Sequence, residues 1–464
     1  MTSNTSNFDE LANKKISSLF WQYALPAMIG TVVNTLYNII DGVFIGHWVG
    51  KEALAGLGVI LPAMNLAAAV GMLVGVGSAT RISIALGLQD RESAERIVGT
   101  SFLLTLLLSG TVLGTMLVFL KPLLMFTGAS EVTYPYARDF LIIFLPGSLF
   151  LSLCFNFNSM MRACGYPFKA MVTMFISVIA NIILAPVFIL WLDWGMKGAA
   201  TATTIAMIIG FIFVMHHFFK KSSNIQFKIK NMRLNGSIVK SVVSIGLSPF
   251  FMQVAASAVV VLINFQLHRY APAAHVNGDD TLAAFSNANR LIMLIVMIVI
   301  GLTQGMQPII GYNYGAKNYA RVRQTLIYAI KVATVITAIG FLLSLFIPQV
   351  FVSAFSSDAE IVRLSAQALR YLTLAFVFVG FQIVTSSFFQ CIGMAGKSIF
   401  LGLSRQVLIL IPTLLLMPTF LGLNGVWLAN PTADTLSAII SAFLLFHQLK
   451  VFKNRERNPY SKAI

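Results

Sequence analysis

Acidic side chains are scarce in this chain. Sixteen Asp and Glu stand against 32 Lys and Arg in 464 residues, and charged residues of both signs make up only 10%, where a soluble domain carries roughly 25%. With 57% hydrophobic residues and a mean hydropathy of +0.82, that deficit excludes an ordinary soluble domain and indicates an all-α polytopic membrane protein. Cysteine is almost absent: Cys154, Cys164 and Cys391 lack metal spacing and fall in or beside apolar runs, so they read as buried or reduced thiols. The six histidines lie at span ends or in loops without catalytic or metal geometry, and His216 and His217 point to different helix faces. No Walker pattern is present, which argues against ATP as the energy source. With no converging nucleophile and base either, the chain does not read as an enzyme, and no cofactor is expected. The basic excess does not signal nucleic acid, because Lys and Arg sit mostly in short loops, span ends and tails, where the positive-inside rule places them. The polar first fifteen residues, with Lys14 and Lys15, show no cleavable signal pattern, so the first span is expected to remain as an anchor.

What is present is a series of long apolar runs. Twelve are long enough to span a bilayer, near 17–46, 53–86, 97–120, 139–161, 170–192, 198–219, 241–268, 281–312, 324–347, 364–390, 398–418 and 424–449. An even number puts both termini on one side. On that side lie 23 basic residues, including Arg162, the six from Lys220 to Lys240, and Arg405 after the tenth span, against six on the other. Both termini are therefore expected in the cytoplasm of a multi-pass membrane protein.

The chain is also written twice. A shift of 228 residues lays Gly77 on Gly305, Gly87 on Gly315, Gly165 on Gly393 and Lys169 on Lys397. Gly195 and Gly198 fall on Gly422 and Gly425 at 227, and Pro26 meets Pro249 at 223, the difference lying in a longer loop that includes His275 to Asp280. The expected organisation is a tail at 1–16, a six-helix bundle at 17–219, a basic linker at 220–240, a second six-helix bundle at 241–449 and a basic tail at 450–464. Six spans per half make the repeat parallel, about an axis along the membrane normal, and such halves can rock around a shared cleft.

The first span, LPAMIGTVVNTLYNIIDGVFIG, carries Asp41 inside its apolar run. A charge there costs roughly 2.5 to 3.5 kcal/mol on insertion scales and needs partners or a wet cavity. Asn34, Asn38 and Asp41 stand at i, i+4 and i+7 on one helical face with Tyr37 beside them, a polar stripe that suits an ion or proton site better than mere packing. In the second span, Gly71 and Gly75 form a small-xxx-small pair, which close helix packing explains.

The runs GMQPIIGYNYGAKNYARVR from Gly305 to Arg323, CGYPFKA from Cys164 to Ala170, SRQVLILIP from Ser404 to Pro412, and the opening LPAMI resemble the multidrug and toxic compound extrusion (MATE) family, in its MepA-like branch. The resemblance covers roughly residues 17–450. It implies two pseudo-symmetric six-helix bundles around a V-shaped cleft, cation-driven export of organic cations, and coupling of ion and drug at Asp41. The family's ion site further implies an Asn on the fifth span, an Asp four residues on and a Thr on the sixth. Asn181 and Thr203 match, and Asn158 on the fourth span is a further candidate, but Ala185 stands where the second acid is expected. Sodium is served by oxygen ligands, carboxylates among them. With one acid missing, a proton is favoured as coupling ion over sodium held at Asp41, Asn181 and Thr203.

The second half has its own polar set. Asp434 lies inside the last span with Asn430 four residues before it on the same face, a candidate for the cationic substrate or a second proton. Asn287, Arg290, Gln304 and Gln307 come from the eighth span and Asn264 and Gln266 from the seventh; pairing of Arg290 with Asp434 would make both structural. The 20 Met and 37 Phe suit a cleft for flat hydrophobic cations. The reading is a monomeric secondary antiporter for amphipathic organic cations in the lipid bilayer. The alternative is a flippase for a lipid-linked glycan or other amphipathic lipid, for which a strongly cationic cleft is expected.

Overall fold

A bilayer offers no water to backbone N–H and C=O groups, and an α-helix satisfies them within itself. The computed structural model, which describes residues 6–220, 223–272, 276–355 and 358–457, is accordingly helical, with no strand among the described residues. His275, the tail beyond 457 and the side chains of Tyr37 and Asn38 lie outside that description.

The first half comprises α1 (Ser6–Asn13), α2 (Ile16–Phe44), α3 (Lys51–Gly87), α4 (Arg91–Val118), α5 (Leu120–Phe126), α6 (Tyr134–Ala163), α7 (Pro167–Pro186) and α8 (Gly195–Phe219). The second comprises α9 (Gly236–Tyr270), α10 (Gly278–Gly315), α11 (Tyr319–Phe346), α12 (Pro348–Val352), α13 (Ala359–Leu372), α14 (Phe376–Cys391), α15 (Ala395–Leu403), α16 (Ile411–Leu421) and α17 (Leu423–Arg457). π-Helical turns at Ile45–Val49, Val187–Trp191 and Ser404–Leu410 extend or join them. Eleven of the resulting helices are long and apolar enough to cross a membrane, and a twelfth is reached when α13 and α14 are taken together.

That pair is the span expected near 364–390, and it is bent. The two helices meet at 55°, and α13 alone, 14 residues, is about 21 Å long and too short to cross. Glu360, Arg363 and Arg370 line an exposed face of α13. Arg363 bonds Glu360 at 2.6 Å, and Arg370 Nε donates to the Leu345 carbonyl at the end of α11. A helix with so polar a face is best placed where water reaches it, and the chain bends before the apolar α14 enters.

Features recur at the offset of the sequence repeat. Asp90 Oδ1 accepts the Ser93 amide at 2.9 Å to cap α4, and Asn318, 228 residues on, accepts the Arg321 amide at 3.2 Å to cap α11. Gly165 and Gly393 take φ of +94° and +76°, left-handed values that end α6 and α14 cheaply only for glycine.

The two halves meet at the ends nearest the N-terminus and linker. A Cβ on Gly87 would stand 2.0 Å from the Tyr312 carbonyl oxygen, and one on Gly315 would stand 2.2 Å from that of Ile84. Both contacts are backbone on backbone, which only glycine permits. The short α1 lies across this seam. Leu11 is fully buried, Phe8 stacks on Tyr312, and Asn313 Nδ2 and the Arg321 guanidinium donate to the carbonyls of Leu11 and Lys14. Farther along, Thr31 Oγ1 donates across the seam to the Met297 carbonyl at 3.0 Å. Beyond that level Asn34 on α2, and Met293 and Arg290 on α10, are exposed.

Candidate functional site

Asp41 lies ten residues past Thr31 on α2, about 15 Å beyond the inter-half seam. It is 5% exposed, and its Oδ1 is buried with no hydrogen-bond partner among the described residues. α2 packs along α7 because Gly30 admits the side chain of Met174. α7 brings Asn181, whose Nδ2 donates to Thr203 Oγ1 on α8 at 3.0 Å, and that hydroxyl donates onward to the Ala199 carbonyl. One turn beyond Asp41 and Asn181, Ile45 and Ala185 belong to the same buried apolar cluster with Ala199 and Ala202. The position at which a second acid was expected is thus packed with alkyl groups. Carboxylate, amide and hydroxyl lie on three adjoining helices, a donor set able to hold a proton or a small hard cation. Among the described residues no group of three or more His, Cys, Asp or Glu side chains is placed to hold a metal.

The remaining first-half candidates divide. Asn34 is exposed on α2. Asn158 is drawn away from this site: its Nδ2 donates to the Ala170 carbonyl at 2.7 Å and its Oδ1 accepts from Arg162. Ala170 precedes Asn181 by eleven residues, about 16 Å along α7. Asn158 instead solvates Arg162, which is 4% exposed and also bonds Ser159. Arg162, counted as a loop cation from sequence, is a buried one.

In the second half Asp434 is 2% exposed on α17, and its Oδ1 accepts from Arg405 Nε at 2.6 Å. Arg405 lies in the π-helical turn Ser404–Leu410, inside the eleventh span. The alternative of a pair with Arg290 is not what forms: Arg290 is exposed and lies over the Phe355 ring, 5.9 Å from its centroid. The pairing with Asp434 removes Arg405 from the cytoplasmic cations. The signal was legible: Arg405 falls seven residues inside the apolar run 398–418, and a cation at that depth calls for an acid.

Two further polar candidates are committed to packing. Gln307 Nε2 donates to Thr80 Oγ1 at 2.8 Å and to the Val76 carbonyl at 3.2 Å, tying α10 to α3 across the seam. Gln266 Nε2 donates to the Leu414 carbonyl and ties α9 to α16. Gln304, one turn from Gln307, has a buried Oε1 without a partner among the described residues. Asn287 is buried, while Asn264 and Asn430 are half-buried.

The chain as a whole resembles known proteins. The MatE family model matches residues 26–187 and 246–415, one segment in each half. The multidrug export protein MepA of Staphylococcus haemolyticus is 28% identical over 433 residues, covering 93% of this chain and 94% of that protein. The structure of the MATE multidrug transporter DinF-BH in complex with the dye rhodamine 6G is 36% identical, with a TM-score of 0.86, covering 94% of this chain and 96% of that one. An outward-facing conformation of a multidrug resistance MATE family transporter is 27% identical, with a TM-score of 0.88, covering 96% and 98%.

Proposed function

This chain belongs to the MatE family of multidrug efflux transporters, and from that premise we propose that it exports amphipathic organic cations in exchange for protons by alternating access of its two halves. The observation that carries this reading is the buried Asp41 Oδ1, which has no hydrogen-bond partner among the described residues. A buried carboxylate oxygen without a partner is costly unless the acid is neutralised by a proton or a bound cation. Loss of that neutralising ion when the cleft faces the other side is then linked to drug binding.

A proton suits the site better than sodium. Sodium would rest on Asp41, Asn181 and Thr203 with a single formal charge, and Ala185 adds no ligand. The second acid, Asp434, is already matched by Arg405, so a cationic drug would have to displace a guanidinium to reach it. In this reading both termini are cytoplasmic, the monomer is the working unit in the bilayer, and no cofactor takes part. Asn34, with Tyr37 and Asn38 of the same helix, belongs to the coupling set, and Gln304, Asn287, Asn264 and Asn430 to the substrate surface.

The experiment is accumulation of rhodamine 6G inside inverted vesicles, the direction that corresponds to efflux from the cell, with either a pH or a sodium gradient imposed. Transport driven by the pH gradient in sodium-free buffer is expected. Efflux that follows only the sodium gradient would replace the proton with sodium, and efflux driven by neither would overturn secondary coupling.

A further inference from the structure

The segment joining the halves is seated firmly on the first half. Lys228 Nζ meets the buried Glu95 carboxylate at 2.5 Å, and Thr100 Oγ1 donates to the Arg233 carbonyl at 2.9 Å. A Cβ on Gly99 would stand 2.3 Å from the Asn231 carbonyl oxygen, so the linker backbone lies directly on α4. Phe227 enters an aromatic cluster with Phe102 and Phe157.

Between this strap and the helices is a cavity of about 560 Å³. Phe102 of α4, Met215 and Phe219 of α8, and Ile229 and Met232 of the strap help line it, and His216 is the titratable residue among its described walls. It sits at the last turns of α8, at the linker end of the candidate span Gly195–Phe219. Ile212, Phe219 and Ile229, 60%, 58% and 75% exposed, mark its outer rim. Lys230 and Arg233 are exposed and each adjoins a lining residue. From 220 to 240 the sequence has six basic residues and no acid.

We propose that this cavity holds an acyl chain of an anionic phospholipid whose phosphate rests on Lys230 and Arg233. The walls are hydrocarbon and aromatic at the end of a candidate span, where acyl chains begin, and Lys230 and Arg233, next in sequence to the lining residues Ile229 and Met232, are exposed cations at that same end, where lipid phosphates lie. An amphipathic organic cation would meet the same apolar walls but is repelled by the basic strap, which separates this site from the transport cleft. A neutral phospholipid would gain the walls alone. Because the strap is the covalent connection between the halves, a chain seated beneath it helps hold the strap on α4.

The test uses the full-length protein in detergent with phosphatidylglycerol or phosphatidylcholine of identical chains added, read by native mass spectrometry and thermal unfolding. Phosphatidylglycerol is expected to be retained in preference and to raise the unfolding temperature more. Joint Lys230→Gln and Arg233→Gln substitution should abolish that preference while leaving some retention of both lipids, and Met232→Trp, which fills the cavity from an outer strap position, should reduce both. Equal retention of the two lipids by the unmodified protein overturns the proposal without recourse to any variant. Displacement of bound lipid by rhodamine 6G would overturn it too, by making the cavity a drug site.

Discussion

Arg405 and Asp434 meet inside the membrane span at 2.6 Å, joining the π-helical turn of the eleventh span to the middle of α17. Removing one partner of a buried pair leaves a charge with no compensation, at a typical cost of about 3 to 5 kcal/mol. Arg405 retains 25% of its side-chain exposure, so Arg405→Ala is expected to destabilise by about 3 kcal/mol, the low end of that range. The joint change Arg405→Leu with Asp434→Leu should cost less than either Arg405→Leu or Asp434→Leu alone. Thermal unfolding of the purified variants measures this, and additive losses would refute the pair.

Asp41→Asn keeps the size and hydrogen-bonding capacity of the side chain but cannot titrate. Folding should be unchanged and uphill dye efflux abolished, while downhill exchange of dye persists. Uphill transport at the normal rate would remove Asp41 from the coupling step.

Ala185→Asp places a second carboxylate one turn from Asn181 on α7. Two nearby carboxylates repel unless a cation lies between them, so the variant should gain sodium dependence at fixed pH. The site is packed with Ile45, Ala199 and Ala202, and the unfolding temperature should fall in sodium-free buffer and recover when sodium is added. An unmodified protein that already responds fully to sodium would sink this prediction.

Gly87→Ala should separate the halves at their closed end. Its Cβ would sit 2.0 Å from a backbone oxygen, whereas a Cβ on Gly58, on the same helix, would meet nothing within 4 Å. Overpacking typically costs about 1 to 3 kcal/mol, while an unhindered Gly→Ala change within a helix stabilises by roughly 0.5 to 1 kcal/mol. A maleimide on Ser83→Cys, which is buried at this seam, should react faster in the Gly87→Ala background and at an unchanged rate in Gly58→Ala.

The equivalent caps Asp90 and Asn318 should part company with pH. Replacing either with Ala should cost about 1 kcal/mol at neutral pH. The hydrogen bonds from Ser93 hold the Asp90 carboxyl below its ordinary range. Its stabilisation is therefore complete above the unfolded value and is lost as pH falls through the lower folded one. The Asn318 amide does not titrate, so only the Asp90→Ala penalty should shrink on acidification, by an amount kept small by solvent screening at this exposed site. Unfolding curves at neutral and acid pH read the difference.

The helical membrane fold and nearly every span were legible in the sequence, because transfer into hydrocarbon is a sum over consecutive residues and needs no knowledge of neighbours. The glycine offsets were equally visible, and so was Asp41, since a carboxylate in an apolar run stands out by its own cost. Partnership was not. Arg405 fell near a predicted span end and was counted as a cytoplasmic charge, although α17 sets Asp434 against it. Gln307 and Gln266 looked like cleft donors until packing turned them onto Thr80 and the Leu414 carbonyl. The bend between α13 and α14 and the seating of the linker on Gly99 likewise rest on contacts between residues far apart in the chain. Electrostatic and hydrogen-bond energies fall off over a few ångströms, and which groups come within that distance is decided by the packing of whole helices.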